Sequence, residues 1–368
     1  MFSNLLHNYR WDEISGNIYS RTTRDVEYAL HRKGKRSLSD FQALVSPAAS
    51  PFLEEMAALS HQITRKRFGK TIQLYIPVYL SNECHNVCTY CGFSFGNGIQ
   101  RKTLGREDVQ KEIDAVKAMG YDHVLLVTGE ASRSAGMDYF REMLPLFREQ
   151  FSHISMEVQP LGEEDYRELS GMGVNTVLVY QETYHRENYR EHHPRGKKSD
   201  FDWRLGTPDR LGSAGIHRIG LGILLGLEDW RTDSFFCAAH LSYLEKKYWR
   251  TKYSVSFPRL RPAPGVVSPR VTVSDRDLLQ LICAYRIFDE EADLSLSTRE
   301  SPLFRDHACR LGITAMSAAS KTNPGGYASG APSLEQFDVH DERTAGEIAD
   351  MIRAHGYEPV WKDWDKIL

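Results

Sequence analysis

Residues 71–93 read TIQLYIPVYLSNECHNVCTYCGF, an apolar run that passes directly into three cysteines. The run IQLYIPVYL (72–80) is rich in β-branched and aromatic residues and reads as a strand. Cys84, Cys88 and Cys91 follow it at C-x₃-C-x₂-C spacing. Outward from this stretch the pattern repeats. Seven more strand-like runs are HVLLVTGE (123–130), ISMEVQPL (154–161), TVLVYQET (176–183), IGLGILLG (219–226), YSVSFPRL (253–260), DLSLSTRE (293–300) and ITAMSAAS (313–320). Between them lie charged, helix-compatible segments such as GREDVQKEIDAVKAMG (105–120), EEDYRELSGMG (163–173) and SDRDLLQLICAYRIF (274–288). Strict alternation of strand and helix predicts a parallel sheet, and eight rounds of it favour a closed (β/α)₈ barrel over an open doubly wound sheet.

The barrel is expected over residues 71–325, with a helical N-terminal extension at 1–70 and a C-terminal tail at 326–368 that caps the barrel or docks on it. Helical spacing is visible around Val26–Leu30 and from Phe52 to Ile63, and ALVSPAAS (43–50) interrupts it. In such a barrel, catalytic groups sit at the C-terminal ends of the strands. The polar residues at those ends are Cys84, Glu130, Glu157, Gln159, Glu182 and Arg299.

The 46 Lys and Arg against 49 Asp and Glu leave no basic face for a polyanion, so nucleic acid is not an expected partner. No apolar run has the length of a membrane span and the start, MFSNLLHNYRWDEISG, is unlike a secretory signal. A cytoplasmic protein with no membrane partner is expected. Of the six cysteines three crowd into eight residues while Cys237, Cys283 and Cys309 are scattered, which in a large chain of a reducing compartment points to metal rather than disulfides.

Three thiolates is the informative number. Electron-transfer clusters use four cysteines, and a zinc site needs a fourth ligand, for which His85 or a distant residue would have to serve. A [4Fe–4S] cluster held by Cys84, Cys88 and Cys91 keeps one iron open for a small molecule. In this reading S-adenosylmethionine chelates that iron through its amine and carboxylate. An electron from the reduced cluster then breaks the sulfonium C–S bond, giving a 5′-deoxyadenosyl radical. With Tyr90 immediately before the last cysteine, on the loop after the first barrel strand, the motif resembles that of the radical S-adenosylmethionine superfamily.

That resemblance implies further contacts to S-adenosylmethionine. Thr128-Gly129-Glu130 is similar to the Gly-Gly-Glu-type turn of the superfamily, in which glycine lets the backbone approach the ligand and neighbouring acceptors receive the methionine ammonium. Glu157 joins this set. In the biotin-synthase-like branch, Glu182 matches an acidic ribose contact and Arg204 an arginine that grips the methionine carboxylate, a task suited to a guanidinium. Gly222, with Gly220 and Gly226, resembles the glycine-bearing fifth strand against the adenine; close strand packing is the alternative.

From about residue 44 to 365 the chain also resembles the tyrosine lyases of thiamine thiazole biosynthesis. The stretches that carry this likeness include LVSPAAS, CxYCGF, LLVTGE, MEVQPL, VYQETYH, GKK, TPDRLG, SVSFPRLRP, LSLSTRES, KTNPGGY, QF and VWKDWD. The resemblance implies radical cleavage of the Cα–Cβ bond of L-tyrosine to 4-cresol and 2-iminoacetate. Hydrogenase-maturation tyrosine lyases share several of these patterns but carry a second cysteine cluster, and here no cysteine follows Cys309. Tryptophan lyases of related type are a further alternative.

Arg299 is expected to clamp the substrate carboxylate, as in related aromatic lyases, with Ser317 and Ser320 as second contacts, Ser317 the favoured one. Arg259 and Arg261 face the site or form a structural ion-pair lattice. Tyr180, Gln181 and His185 are candidates near the phenol, without assigned roles. The expected partners are a thiazole synthase subunit and a reducing electron donor such as flavodoxin.

Overall fold

The computed structural model describes residues 1–261, 265–329 and 335–362. Eight strands, β1 (Thr71–Ser81), β2 (His123–Thr128), β3 (His153–Glu157), β4 (Val174–Leu178), β5 (Arg218–Gly222), β6 (Lys252–Ser256), β7 (Asp293–Leu296) and β8 (Ala315–Ser317), pair in parallel in sequence order. β1 pairs on one side with β2, Ile76 opposite Val124, and on the other with β8, Gln73 opposite Ala315, so the sheet closes on itself. The expected (β/α)₈ barrel is formed. Every residue of β2, β4 and β5 is buried, as a parallel sheet covered by helices requires.

The strands stop earlier than the apolar runs suggested. β2 ends at Thr128 and β4 at Leu178, which places Gly129 and Glu130, and Tyr180 to Thr183, in loops over the C-terminal mouth. A ninth strand, β9 (Glu358–Val360), was not among those expected: it lies parallel to Thr71–Gln73 at the start of β1. At three residues it gives no periodic signal of its own. The end of the stretch EPVWKDWDKIL, residues 363–368, lies outside the described residues.

The first 70 residues fold into helices Phe2–Leu6, Trp11–Tyr19, Thr23–His31, Leu38–Val45 and Leu53–Phe68. Capping boxes at Thr22 with Asp25 and at Ser37 with Asp40 start the third and fourth. The interruption in ALVSPAAS is a 3₁₀ turn, Pro47–Phe52, with Pro47 at its first position. This layer packs on helices Trp230–Lys247 and Asp275–Phe288, where Phe41 meets the Tyr285 and Phe288 rings at 5.0 Å each. This second coat leaves both helices buried on most of their faces, polar residues such as Asp233, His240, Gln280 and Arg286 included.

Beyond β8 the chain crosses the mouth of the barrel. Gly92 N–H donates to the Gln336 carbonyl at 3.1 Å, and Gln336 N–H donates to that of Thr322 at 3.1 Å. His340 and Asp341 both donate to the Thr298 carbonyl, at 2.9 and 3.1 Å, while Asp341 forms a buried ion pair with Arg305. Helix Ala345–Ala354 then buries Ile348, Ala349 and Ile352. No helix among the described residues is long and apolar enough to cross a membrane.

Candidate active site

The loop after β1 is stapled before it reaches the cysteines. Arg101 donates to the carbonyls of Asn82, Phe93 and Ser94 at 2.7, 2.8 and 2.8 Å. Cys88 N–H donates to Ser94 Oγ at 3.0 Å. Gly129 fits because it has no side chain: a Cβ there would collide with the backbone carbonyl of Glu83. Its lack of a side chain lets the cysteine loop sit on the end of β2, and Gly129 also lines the cavity beside the cysteines, where the sequence suggested close approach of a ligand.

All three thiols line one cavity at the C-terminal mouth, open to solvent on its outer side. Burial pushes the Cys84, Cys88 and Cys91 thiols up, so thiolates at this position need cationic compensation. Iron would supply it. Among the described residues no three His, Cys, Asp or Glu side chains gather about a single point, as one metal ion needs. A cubane takes each thiolate on a different iron and suits a looser triangle. His85 is exposed and does not line this cavity. The donor set fits a three-cysteine [4Fe–4S] cluster.

Beside the cysteines stands a buried group of two carboxylates and two cations. Arg204 Nη1 meets Glu130 Oε1 at 2.8 Å, its Nη2 approaches Glu182 at 3.5 Å, and its Nε donates to the Tyr180 carbonyl at 2.6 Å. Lys198 Nζ meets Glu182 Oε1 at 2.7 Å and lies 5.5 Å from the centroid of the Tyr90 ring. Asn86 joins the two halves, giving Nδ2–H to Glu130 at 2.7 Å and accepting Lys198 N–H at 3.0 Å.

Burial pushes Glu130 up, but Arg204 and Lys198 more than offset it and hold the carboxyl below its ordinary range. Burial and Arg204 push Lys198 down; Glu182, Cys88 and Glu130 outweigh them, and the ammonium stays charged. Glu182 sits at φ 69°, left-handed backbone that a non-glycine residue rarely adopts. Strain of this kind is retained where it aims a functional group, and here it turns the carboxylate into the cluster of charges.

Tyr90 lines the cavity with its ring, not its hydroxyl. Burial keeps His193 neutral, its Nδ1 lies 2.8 Å from the Tyr189 carbonyl and so carries the proton, and its Nε2 accepts the Tyr90 hydroxyl at 2.7 Å.

Across the cavity Arg299 stacks on Phe337, 3.4 Å from the ring centroid, and gives one long hydrogen bond to the Arg259 carbonyl at 3.4 Å. Arg299 lines the cavity. Ser317 Oγ accepts Thr298 N–H at 3.2 Å, whereas Ser320 Oγ is buried without a partner among the described residues. Ala319, at φ 53°, turns the chain between them. Tyr75, its hydroxyl 3.0 Å from Ser295 Oγ, and Tyr180 complete this end. Glu157 projects between the two ends, and burial, with the charge of Glu182, pushes its carboxyl up to about 7.

Some of the residues singled out in the sequence do not line the cavity. Gly222 is covered by the Tyr180 ring, which a Cβ there would meet at 2.8 Å. Arg259 pairs with Glu300 and, at 2.7 Å, with Asp275, while Arg261 reaches Glu300 at 3.4 Å: they form the ion-pair lattice. His185 caps helix Arg186–His192 and packs on Trp11. Gln159 holds the Ala135 carbonyl at 2.8 Å. Conversely, sequence reasoning passed over Lys198, Tyr79, Gln336 and Phe337, all of which line the cavity. Lys198 lies in the GKK stretch, but nothing in residue type separates it from its exposed neighbour Lys197.

Comparison with known proteins agrees with this geometry. Residues 78–233 match the Radical SAM superfamily, and residues 256–358 the Biotin and Thiamin Synthesis associated domain. The chain is 53% identical over 368 residues to the 2-iminoacetate synthases of Salmonella typhimurium and Escherichia coli, covering 100% of this chain and 97% of each relative. A crystal structure of HydG, a maturase of the [FeFe]-hydrogenase, superposes with a TM-score of 0.89 at 31% identity, over 95% of this chain and 80% of that one. With a three-cysteine loop on a closed parallel barrel and relatives alike from end to end, this chain belongs to the 2-iminoacetate synthase family of radical S-adenosylmethionine enzymes.

Proposed function

We propose that Cys84, Cys88 and Cys91 hold the [4Fe–4S] cluster, that the charged group beside them holds S-adenosylmethionine, and that Arg299 and Ser320 hold L-tyrosine for cleavage of its Cα–Cβ bond. The observation that carries this reading is convergence: a three-thiol loop, a balanced set of buried charges and a lightly engaged arginine all open into one cavity. When bound, the cluster and S-adenosylmethionine supply a 5′-deoxyadenosyl radical that takes hydrogen from the substrate amino group, and the products are 4-cresol and 2-iminoacetate.

The chain's own residues do the positioning. Lys198 and Arg204 offer cations to the methionine carboxylate, Glu130 offers an acceptor to its ammonium, and Glu182 an acceptor to the ribose. Arg204 is already held by Glu130 and the Tyr180 carbonyl, so Lys198 is the more available cation. Arg299 grips the tyrosine carboxylate with its planar fork, helped by the Ser320 hydroxyl, which has no partner among the described residues, and by Ser317. Such fixed orientation is what brings the amino group to the radical. Gly222 acts through Tyr180, which it seats. 2-Iminoacetate is an imine open to hydrolysis, which favours direct handover to a thiazole synthase subunit. Reduction falls to a donor such as flavodoxin, in the cytoplasm.

The test is anaerobic incubation of the iron-reconstituted, reduced protein with S-adenosylmethionine and L-tyrosine, assaying 5′-deoxyadenosine and 4-cresol together. Both products are expected, and neither from Cys88→Ala. 5′-Deoxyadenosine without 4-cresol would reject tyrosine as substrate; neither product from a loaded cluster would reject the enzymatic reading.

A further inference from the structure

The segment that crosses the barrel mouth places one side chain between the cysteine loop and the barrel wall. Gln336 Nε2 lies 3.8 Å from Cys91 Sγ, and its Oε1 accepts the Tyr79 hydroxyl at 2.7 Å. The Tyr79 bond decides which end of the amide faces the sulfur, since a hydroxyl that donates to Oε1 leaves the N–H groups pointing at Cys91. The backbone is fixed on the same side. Gln336 exchanges hydrogen bonds with Gly92 and Thr322, and Phe337, next in the chain, lies under Arg299. A side chain at position 92 would exclude this segment, because a Cβ there would lie 2.8 Å from the carbonyl oxygens of both Glu335 and Gln336.

We propose that Gln336 is a positioning residue for the cluster, its amide N–H directed at the Cys91 sulfur so as to raise the reduction potential. The inference rests on Cys84, Cys88 and Cys91 being the cluster ligands. Reduction adds negative charge that is shared by the ligand sulfurs, so an N–H dipole aimed at one of them stabilises the reduced form more than the oxidised form. The surroundings strengthen the effect. Tyr79, Phe93, Leu125 and Val127 form an apolar wall here, with the Tyr79 and Phe93 rings 5.9 Å apart, and a dipole counts for more where water does not screen it. The position also joins two functions in adjacent residues: Gln336 faces the cluster, and Phe337 supports the arginine assigned to the substrate carboxylate.

The test is a redox titration of the full-length reconstituted protein, followed by electron paramagnetic resonance, for the wild type, Gln336→Met, Gln336→Glu and Tyr79→Phe. Iron and sulfide content are measured on the same samples. Met keeps the length and removes the donor; Glu replaces it with a negative charge; Phe leaves the amide but frees its orientation. With clusters loaded as in the wild type, the ratio of reduced to oxidised cluster at a fixed potential should fall about tenfold in Gln336→Met, a shift of about 59 mV for one electron. It should fall further in Gln336→Glu and less in Tyr79→Phe. Unchanged midpoints with full clusters would overturn the proposal. Loss of the cluster in both Gln336→Met and Tyr79→Phe would also overturn it, by making the contact a brace for the loop. A wild-type chain that takes up no iron and sulfide would instead sink the cysteine assignment itself, and the two failures are told apart by the metal analysis alone.

Discussion

Arg299 and Arg259 end neighbouring strands and carry the same functional group, yet the structure gives them opposite consequences on mutation. Among the described residues Arg299 has the Phe337 ring and one 3.4 Å bond to a carbonyl, so little of the described fold depends on it. Replacing it by Lys keeps the charge and loses the paired hydrogen bonds to a carboxylate. A hydrogen bond to a charged group contributes about 1.5–3 kcal/mol, which at about 1.4 kcal/mol per factor of ten is roughly a 10- to 150-fold loss of tyrosine affinity.

The assay is 4-cresol formation against tyrosine concentration, with 5′-deoxyadenosine formed in the absence of tyrosine as a check on cluster and cofactor. KM for tyrosine should rise within that range while tyrosine-independent cleavage and melting temperature stay near wild type. Arg259→Gln should do the reverse. It strands Glu300, 1% exposed, and breaking a buried pair costs about 3–5 kcal/mol; Arg261, also near Glu300, holds the loss toward the lower end. Arg259→Gln should therefore melt earlier with KM unchanged. An unaltered KM in Arg299→Lys, or a KM rise in Arg259→Gln at equal loading, would refute the division of roles.

Glu157 holds its proton to about pH 7 in the fold, against an ordinary value near 4.5. Between those values the folded chain binds more protons than the unfolded one, so this group's contribution makes stability fall as pH rises through the window. Glu157→Gln should flatten that part of the stability–pH curve of the apoprotein and stabilise it at pH 8, read by thermal melts; an unchanged slope would show that Glu157 titrates normally. Gly129→Ala forces its Cβ into the Glu83 carbonyl and should cut iron and sulfide per chain several-fold while far-ultraviolet circular dichroism persists. Lys198→Met should weaken equilibrium binding of S-adenosylmethionine to the loaded protein by at least tenfold, since one charge-assisted contact contributes about 1.5 kcal/mol or more. Lys198→Arg should restore part of it, and equal binding by Lys198→Met would assign the cofactor carboxylate to Arg204 alone.

The eight barrel strands were legible because each is a short β-rich run set between charged helical segments; HVLLVT is apolar throughout, as burial on both faces demands, whereas DLSL alternates and is buried on one face only. β9 was not, because its three residues owe their pairing to β1 having a free edge at Thr71–Gln73 and not to any pattern of their own. The same distinction runs through the site. The cysteine triad is local in sequence: ligand chemistry fixes residue type and the loop fixes spacing, so eight residues suffice to read it. The acidic strand ends, Glu130, Glu157 and Glu182, followed from the barrel itself, since the rule that function lies at the C-terminal mouth needs only the strand positions.

What the sequence withheld depends on which of two like residues the fold turns inward. Lys197 and Lys198 are adjacent and identical, and only the turn after Gly196, at φ 100°, sends one to solvent and the other to Glu182. Ser317 and Ser320 differ in the same way: Ala319, a left-handed residue between them, turns the chain so that Ser317 Oγ accepts Thr298 N–H while Ser320 Oγ has no partner among the described residues, and residue type alone does not distinguish the two hydroxyls. Gln336 is the extreme case. Its partners Tyr79 and Cys91 lie 257 and 245 positions away in the chain, and no periodicity or motif spacing can encode a contact across that interval. A glycine does record it: Gly92 is required because another segment of backbone passes within contact distance, and a glycine inside the cysteine loop is a signal that something unseen in the local sequence packs against it.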